Sequence, residues 1–124
     1  MNFGRREWFA ENWSESVLAN ATQELWTLTV PNKCECEITE FGNYLGTVAA
    51  WGTNYWYATA NGVAFELAGG FPYIYDQVGY AAQRQSISPK RFAGGTHIQI
   101  FGVEGTGAAV DMGISIGYFL IYQE

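Results

Sequence analysis

The fold is decided by the stretch Met112-Gly-Ile-Ser-Ile-Gly-Tyr-Phe-Leu-Ile-Tyr122. In a β-strand the side chains alternate between two faces. One face of this stretch is apolar throughout and carries Ile114, Ile116, Tyr118 and Leu120. The opposite face starts small and then becomes apolar, with Gly113, Ser115, Gly117, Phe119 and Ile121. This pattern predicts a central strand of a sheet, which the rest of the chain must cover.

The sequence after residue 23 reads as short strands separated by turns. Trp26, Leu28 and Val30 alternate with threonines, which is typical of a half-buried strand. Asn61-Gly62 is the strongest hairpin signal in the chain. The segment 81–91 contains Pro89 and reads as a connection rather than a strand. Residues 24–124 are therefore predicted to form an all-β domain, an antiparallel β-sandwich or jelly roll of seven or eight strands.

Residues 1–23 differ from the rest in composition and are predicted to form an N-terminal arm. Phe9, Trp13 and Val17 lie four residues apart, which fits a short amphipathic helix. An extended arm that docks its aromatic side chains elsewhere fits equally well. It could fold back on its own domain or reach a neighbouring subunit. The cost of leaving Trp8 and Trp13 in water favours the intermolecular contact.

Composition limits the classes of function. The chain has 124 residues, of which 48% are hydrophobic and only 15% charged, so we expect subunit contacts to cover part of the apolar surface. The net charge of −6 argues against nucleic-acid binding, which requires clustered Lys and Arg. No apolar run has the length of a membrane span, and no signal-peptide core is apparent. We expect synthesis in a cytoplasm and no membrane partner.

No catalytic or metal-binding constellation is present in the sequence. Cys34 and Cys36 would share one face of a strand and are interpreted as small buried hydrophobes. His97 is the only histidine and has no nucleophile or acid at a useful spacing. The chain is therefore expected to be a non-enzymatic protein without a catalytic residue, metal or cofactor.

Aromatic side chains form the most informative set between residues 44 and 80. Alternation places Tyr55 and Tyr57 on the face opposite Trp56, so some of these rings must lie outside the core. They could pack at the ends of the sandwich, meet another subunit or stack on sugars. For the last role the candidate glycan-stacking residues are Trp51, Trp56 and Tyr73.

The order of strands and turns also carries a family resemblance. It runs through Thr29-Val-Pro-Asn-Lys33, Phe41-Gly-Asn43, Trp51-Gly52, Trp56, Asn61-Gly62, Phe92-Ala-Gly-Gly95 and Met112-Gly113. Residues 24–124 resemble the small jelly-roll decoration, or cement, proteins of tailed-bacteriophage capsids. The resemblance implies a virion structural protein on the capsid surface, commonly a homotrimer, whose arm or loops grip the major capsid protein.

Two functions follow as hypotheses. In the first, the chain decorates and stabilises a capsid, with arm contacts from Trp8, Phe9, Trp13 and Val17. A candidate subunit interface is then the second face of the last strand, formed by Gly113, Ser115, Gly117, Phe119 and Ile121. The alternative is a carbohydrate- or receptor-binding β-sandwich, as in a head fibre or a lectin-like module.

Overall fold

The computed structural model describes residues 3–46, 53–68, 70, 72–75, 77–78 and 84–123. These residues contain nine strands and no helix. The strands are β1 (Phe3–Val17), β2 (Thr22–Thr29), β3 (Cys34–Leu45), β4 (Tyr55–Ala60), β5 (Val63–Phe65), β6 (Tyr73–Ile74), β7 (Gln85–Ala93), β8 (His97–Val103) and β9 (Val110–Gln123). A helix long and apolar enough to cross a membrane is accordingly not found in this part of the chain.

The strands form two antiparallel sheets that pack together as a β-sandwich. Sheet A has the order β1-β9-β3-β7, and sheet B has the order β2-β8-β4-β5, with β6 paired to β4. The pairs β1–β9, β2–β8, β3–β7 and β4–β5 are nested one inside the next. The nested pairs form one long antiparallel ribbon that folds over on itself, and this folding also pairs β9 with β3 and β8 with β4. This is the connectivity of a jelly roll, and the predicted fold class is confirmed.

The core lies between the sheets and is centred on β9. Ile114 and Ile116 are fully buried, and Tyr118 and Leu120 are nearly so, as the alternation predicts. They face the side chains of sheet B, including Ile98 and Ile100 of β8. Complete burial of each isoleucine stabilises the folded state by about 1.5–3 kcal/mol relative to exposure. The stretch Met112–Tyr122 thus lies in β9, one of the two central strands of sheet A.

The predicted N-terminal arm or short helix is corrected by the structure. Residues Phe3–Val17 form β1, which pairs with β9 from Phe3↔Gln123 to Val17↔Val110. This strand raises the number of described strands to nine, against the seven or eight predicted. A spacing of four residues is a multiple of two, so Phe9, Trp13 and Val17 share one face of a strand as readily as one face of a helix. Val17 is fully buried. The first 23 residues therefore contain an integral edge strand of the sandwich, and the domain does not begin at residue 24.

Residues 85–91 of the segment predicted as a connection belong to a strand. Gln85–Ala93 is β7, which pairs with β3 at an edge of sheet A. Proline is tolerated there because an edge strand has one side without ladder partners. The β3–β7 register shifts between Ile38 and Glu40, opposite the part of β7 that holds Pro89. An irregular edge strand of this kind has no clear alternating signal in the sequence.

The predicted hairpin is confirmed. Asn61 and Gly62 join β4 to β5 with φ angles of 50° and 80°, and Ala60 pairs with Val63 across the turn. Both central residues have positive φ, as a type I′ turn requires. Asn61 Oδ1 also accepts a hydrogen bond from the backbone N–H of His97, at 2.8 Å. The turn therefore ties the β4–β5 hairpin to the start of β8.

Candidate functional site

The outer face of sheet B carries a cluster of aromatic rings that we call the tyrosine face. It consists of Tyr55, Tyr57, Tyr73, Tyr75 and Phe101. Strand alternation creates it, since Tyr57 pairs with Tyr73 while the neighbouring pair, Trp56 and Ile74, points into the core. Tyr73 remains 49% exposed. An aromatic cluster on a solvent-facing sheet surface is a candidate binding site.

The rings of the tyrosine face contact one another continuously. Tyr57 stacks on Phe101 with ring centroids 5.0 Å apart, and Tyr73 meets Tyr57 at 5.7 Å. Tyr55 lies between Tyr73 and Tyr75, at centroid distances of 5.6 and 5.0 Å. Burial and the neighbouring Tyr75 raise the pKa of the Tyr55 hydroxyl. The Tyr55 hydroxyl therefore stays protonated at neutral pH and serves as an uncharged hydrogen-bond group.

Beside these rings lies a shallow concavity of about 470 Å³. Its polar lining includes Thr22, Thr59 and Gln99. Gln99 is held in place because its amide donates to Glu24 Oε2 at 2.6 Å. Thr59 is only 7% exposed, and its Oγ1 has no hydrogen-bond partner among the described residues. A buried hydroxyl without a partner is unusual and indicates a group that a ligand could satisfy.

The outer face of sheet A is built differently, from one tryptophan and several ion pairs. The Trp8 ring lies over Gly117 and contacts Phe119 at a centroid distance of 4.9 Å. A Cβ at Gly117 would lie 2.7 Å from Trp8 Cζ2, closer than side-chain carbons approach, so glycine is needed beneath the indole. Ser115 is buried beside it and donates a hydrogen bond to Asn12 Oδ1.

Arginines cross the same face and pair with the acidic residues of β3. Arg91 Nε lies 3.0 Å from Glu35 Oε1, and Arg84 Nε lies 3.1 Å from Glu40 Oε1. Glu37 receives a longer contact of 3.7 Å from Arg6 on β1. These pairs link three strands of the sheet, although partly exposed ion pairs each contribute little stability. The acidic row of β3 is thus balanced by basic residues of its neighbours.

Strand β1 exposes apolar side chains at the free edge of sheet A. Trp13 is 55% exposed and its indole N–H donates to Glu15 Oε2 at 2.6 Å. With Tyr44 and Asp111 it lines a second concavity, of about 310 Å³. No strand pairs with the far side of β1 within the described ranges. We call this region the β1 edge, and such edges are sites where a partner strand can add.

The inner side of β1 is fastened to both sheets. Glu11 Oε2 accepts hydrogen bonds of 2.9 Å from the indole of Trp26 on β2 and from the hydroxyl of Tyr118 on β9. Phe9 stacks on Tyr118 with ring centroids 5.4 Å apart. Burial, followed by the hydrogen bond to Glu11, raises the pKa of Tyr118. Removing β1 would therefore leave apolar and polar groups of the core without partners.

A buried carboxylate closes one end of the sandwich. Glu104 accepts hydrogen bonds from the backbone N–H groups of Asn20 and Gly107, at 3.1 and 2.7 Å. It also accepts from both the N–H and the hydroxyl of Thr106. Burial alone would raise the pKa of Glu104, but these hydrogen bonds outweigh it and lower the pKa to about 2. The group anchors the β1–β2 and β8–β9 turns and has no exposed position for catalysis.

The remaining chemically reactive residues have structural surroundings. Cys34 and Cys36 are free and buried, as predicted. Burial, with a smaller contribution from Glu37, raises the pKa of the Cys36 thiol to about 12. His97 is exposed, and its Nδ1 shares a 3.0 Å hydrogen bond with the hydroxyl of Thr29. Within the described ranges, no group of three or more His, Cys, Asp or Glu could hold a metal ion.

The structure separates the three candidate glycan-stacking residues. Trp56 is fully buried in the core and cannot stack on a sugar, so this prediction is wrong. Trp51 lies outside the described residues. Tyr73 belongs to the tyrosine face. Sequence reasoning missed Phe101 and Thr59, which alternation alone could have placed on the outer face once the inward side of β4 was known.

The candidate contact residues are also divided by the fold. Of the arm set, Val17 belongs to the core and Phe9 is half-buried, whereas Trp8 and Trp13 are exposed. In the candidate subunit interface on β9, all but Phe119 are buried. They are covered within the chain by neighbours such as Trp8 and Asn12. A partner at this face would meet Trp8, Phe119 and the arginines, and the interface stays a prediction.

Comparison with known proteins adds no family: no protein-family model matches the chain, and no curated protein does.

Proposed function

We propose that this jelly-roll domain is a non-enzymatic virion structural protein that decorates and stabilises a phage capsid. The observation that carries the proposal is the β1 edge, where Trp13 stands 55% exposed beside a concavity of about 310 Å³. Exposed tryptophans next to a pocket are frequent anchors of protein interfaces. The sequence resemblance to capsid decoration proteins supports the major capsid protein as the proposed partner.

The proposed mechanism combines side-chain burial with strand addition. The Trp13 indole and Leu18, which follows the end of β1, lose exposed apolar surface when a capsid segment covers them. The free side of β1 supplies backbone hydrogen bonds to an extended segment of the partner. In a homo-oligomer, the proposed trimer, identical weak contacts sum to a firm attachment at the capsid surface.

Co-sedimentation with expanded capsids that lack auxiliary proteins tests this function. Deleting β1 would unfold the sandwich, so we choose Trp13→Ala, whose side chain is largely in water. If it anchors the contact, each binding site loses about 2 kcal/mol, or roughly 30-fold in affinity. Val63→Ala is the control because Val63 is also an exposed apolar residue but lies at the tip of the β4–β5 hairpin. Equal binding by both variants would contradict the proposal.

A second candidate function is a carbohydrate- or receptor-binding β-sandwich, as in a head fibre or lectin-like module. It is favoured by the tyrosine face, which lies on the sheet opposite the β1 edge. Affinity electrophoresis with soluble polysaccharides separates the two functions. A domain that binds capsids and is retarded by no polysaccharide has only the first function.

A further inference from the structure

We propose that the tyrosine face and its concavity form a binding site for a neutral saccharide chain. This inference rests on the second candidate function and names its ligand class and its residues. It requires no capsid partner, since the site is on sheet B and the β1 edge is on sheet A. Three features of the site point to this ligand: its rings, a buried hydroxyl and its lack of positive charge.

The rings suit the apolar faces of sugars. Tyr73 and Tyr75 are 49% and 45% exposed, whereas Tyr55 and Tyr57 behind them are half-buried. The two outer rings are held by contacts with Tyr55 at 5.6 and 5.0 Å. Rings that are fixed before binding lose little conformational entropy when a ligand stacks on them. The concavity of about 470 Å³ has the size of small-molecule sites.

The buried hydroxyl of Thr59 calls for a polar ligand. Thr59 lines the concavity, is 7% exposed, and its Oγ1 has no partner among the described residues. The oxygen itself is already shielded from solvent, so a ligand reaches it only when the Thr59 side chain rotates toward the concavity. A sugar hydroxyl can both donate to and accept from Oγ1. Gln99, oriented by Glu24, adds a second polar group on the adjacent strand β8.

Charge selects among saccharides. All six Lys and Arg of the chain lie in described segments, and none lines the concavity. An acidic group, Glu24, contacts the lining by accepting the hydrogen bond from Gln99. Anionic sugars such as uronates, sialates or phosphorylated residues would meet no cation there and would be repelled by the acidic chain. The site therefore favours a neutral chain.

Affinity electrophoresis tests the proposal with neutral polymers (dextran, a β-glucan and galactomannan) and anionic ones (alginate and hyaluronan). We expect at least one neutral polymer to retard the protein, and neither anionic polymer to do so. Tyr73→Ala should weaken that binding at least tenfold. Tyr44→Ala is the matched control, because Tyr44 is similarly exposed (42%) but lies on sheet A. Thr59→Val keeps the side-chain shape and should also weaken binding, by about tenfold, without lowering stability.

Each contrary result has a distinct meaning. Absence of retardation by every polymer would overturn both the inference and the second candidate function. Retardation that Tyr73→Ala and Thr59→Val leave unchanged would keep carbohydrate binding as a function but overturn this site. Retardation only by anionic polymers would overturn the assignment of a neutral ligand. Conversion of an oligomer to a monomer by Tyr73→Ala, with no polymer bound, would show that a second copy covers this face instead.

Discussion

Substitution of Gly117 by alanine provides a sharp test of how the outer face of sheet A is packed. The new methyl group would lie 2.7 Å from Trp8 Cζ2 and 3.2 Å from Glu40 Cβ. The far end of the indole must therefore leave the sheet. Trp8 is 39% exposed in the native structure, so about 140 Å² of its surface is buried, as expected for an aromatic side chain that is partly covered.

The magnitude follows from that buried area. At about 25 cal/mol per Å², its loss corresponds to ~3.5 kcal/mol. Residual burial in the unfolded chain reduces this to about 2–3 kcal/mol. Alanine recovers about 0.5–1 kcal/mol because it restricts the unfolded chain more than glycine does. We therefore expect Gly117→Ala to lower the free energy of unfolding by about 2 kcal/mol, and Trp8→Ala by about 2–3 kcal/mol.

The double variant distinguishes this contact from other causes. With Trp8 truncated, the methyl group at position 117 has space, so Gly117→Ala should then be neutral or stabilise the domain by up to about 1 kcal/mol. The expected coupling energy is about 2 kcal/mol, which is typical of residues in direct contact. Gly113→Ala is the control, since its Cβ would lie 2.8 Å from the backbone oxygen of Trp13. Truncation of the Trp8 ring cannot relieve that clash.

Urea unfolding followed by far-ultraviolet circular dichroism measures these free energies without relying on the removed tryptophan. If Gly117→Ala costs the same with and without the Trp8 ring, the packing argument is refuted. Light scattering after size exclusion should be run in parallel. An oligomer that dissociates while the stability of the subunit is unchanged would instead assign the second face of β9 to a subunit interface.

Three further predictions concern single residues. Glu104 has a pKa of about 2 in the folded state, against an ordinary value of 4.5. Its contribution to stability is therefore complete above pH 4.5 and is lost as the pH falls toward 2. Glu104→Gln should flatten the dependence of the melting temperature on pH in that window and should lower the free energy of unfolding at pH 7. Cys36, with a thiol pKa of about 12, should react with a thiol reagent at pH 8 only at the rate of global unfolding, and a fast reaction would contradict its burial. Gly62→Ala should cost about 1–2 kcal/mol in chemical denaturation from its φ of 80° alone, because no atom lies within 4 Å of the added Cβ.

The sandwich was predictable because its strongest signals are local. The alternation in β9 identified a central strand, and Asn61-Gly62 identified the tightest turn. The sequence pattern did not identify β1 because a spacing of four residues fits both the helical period of about 3.6 and the strand period of 2. A strand is distinguished from a helix here by the contact it makes with the rest of the chain, because Phe9 stacks on Tyr118, more than 100 residues away. A pattern within one segment contains no information about such a contact.

The candidate site was predictable only in outline. Alternation separates Trp56 from Tyr55 and Tyr57 but does not say which face is inward. The pairing of β4 with β8 decides it, since Ala58 lies opposite the buried Ile100. The unpartnered hydroxyl of Thr59 likewise depends on its neighbours in three dimensions. The sequence does not specify the register between strands, and that register determines both of these features.

The nested strand pairing has a consequence for how the domain forms. The β4–β5 hairpin closes across two residues, whereas Phe3 and Gln123 pair across 120 positions. Closing a longer loop costs more chain entropy, and contacts distant in sequence slow folding. We therefore expect folding to proceed outward from Asn61-Gly62, with β1 the last strand to join and the first to detach. In hydrogen exchange its amides should be the least protected of sheet A, so a long edge strand would remain briefly free while the rest of the sandwich is already assembled.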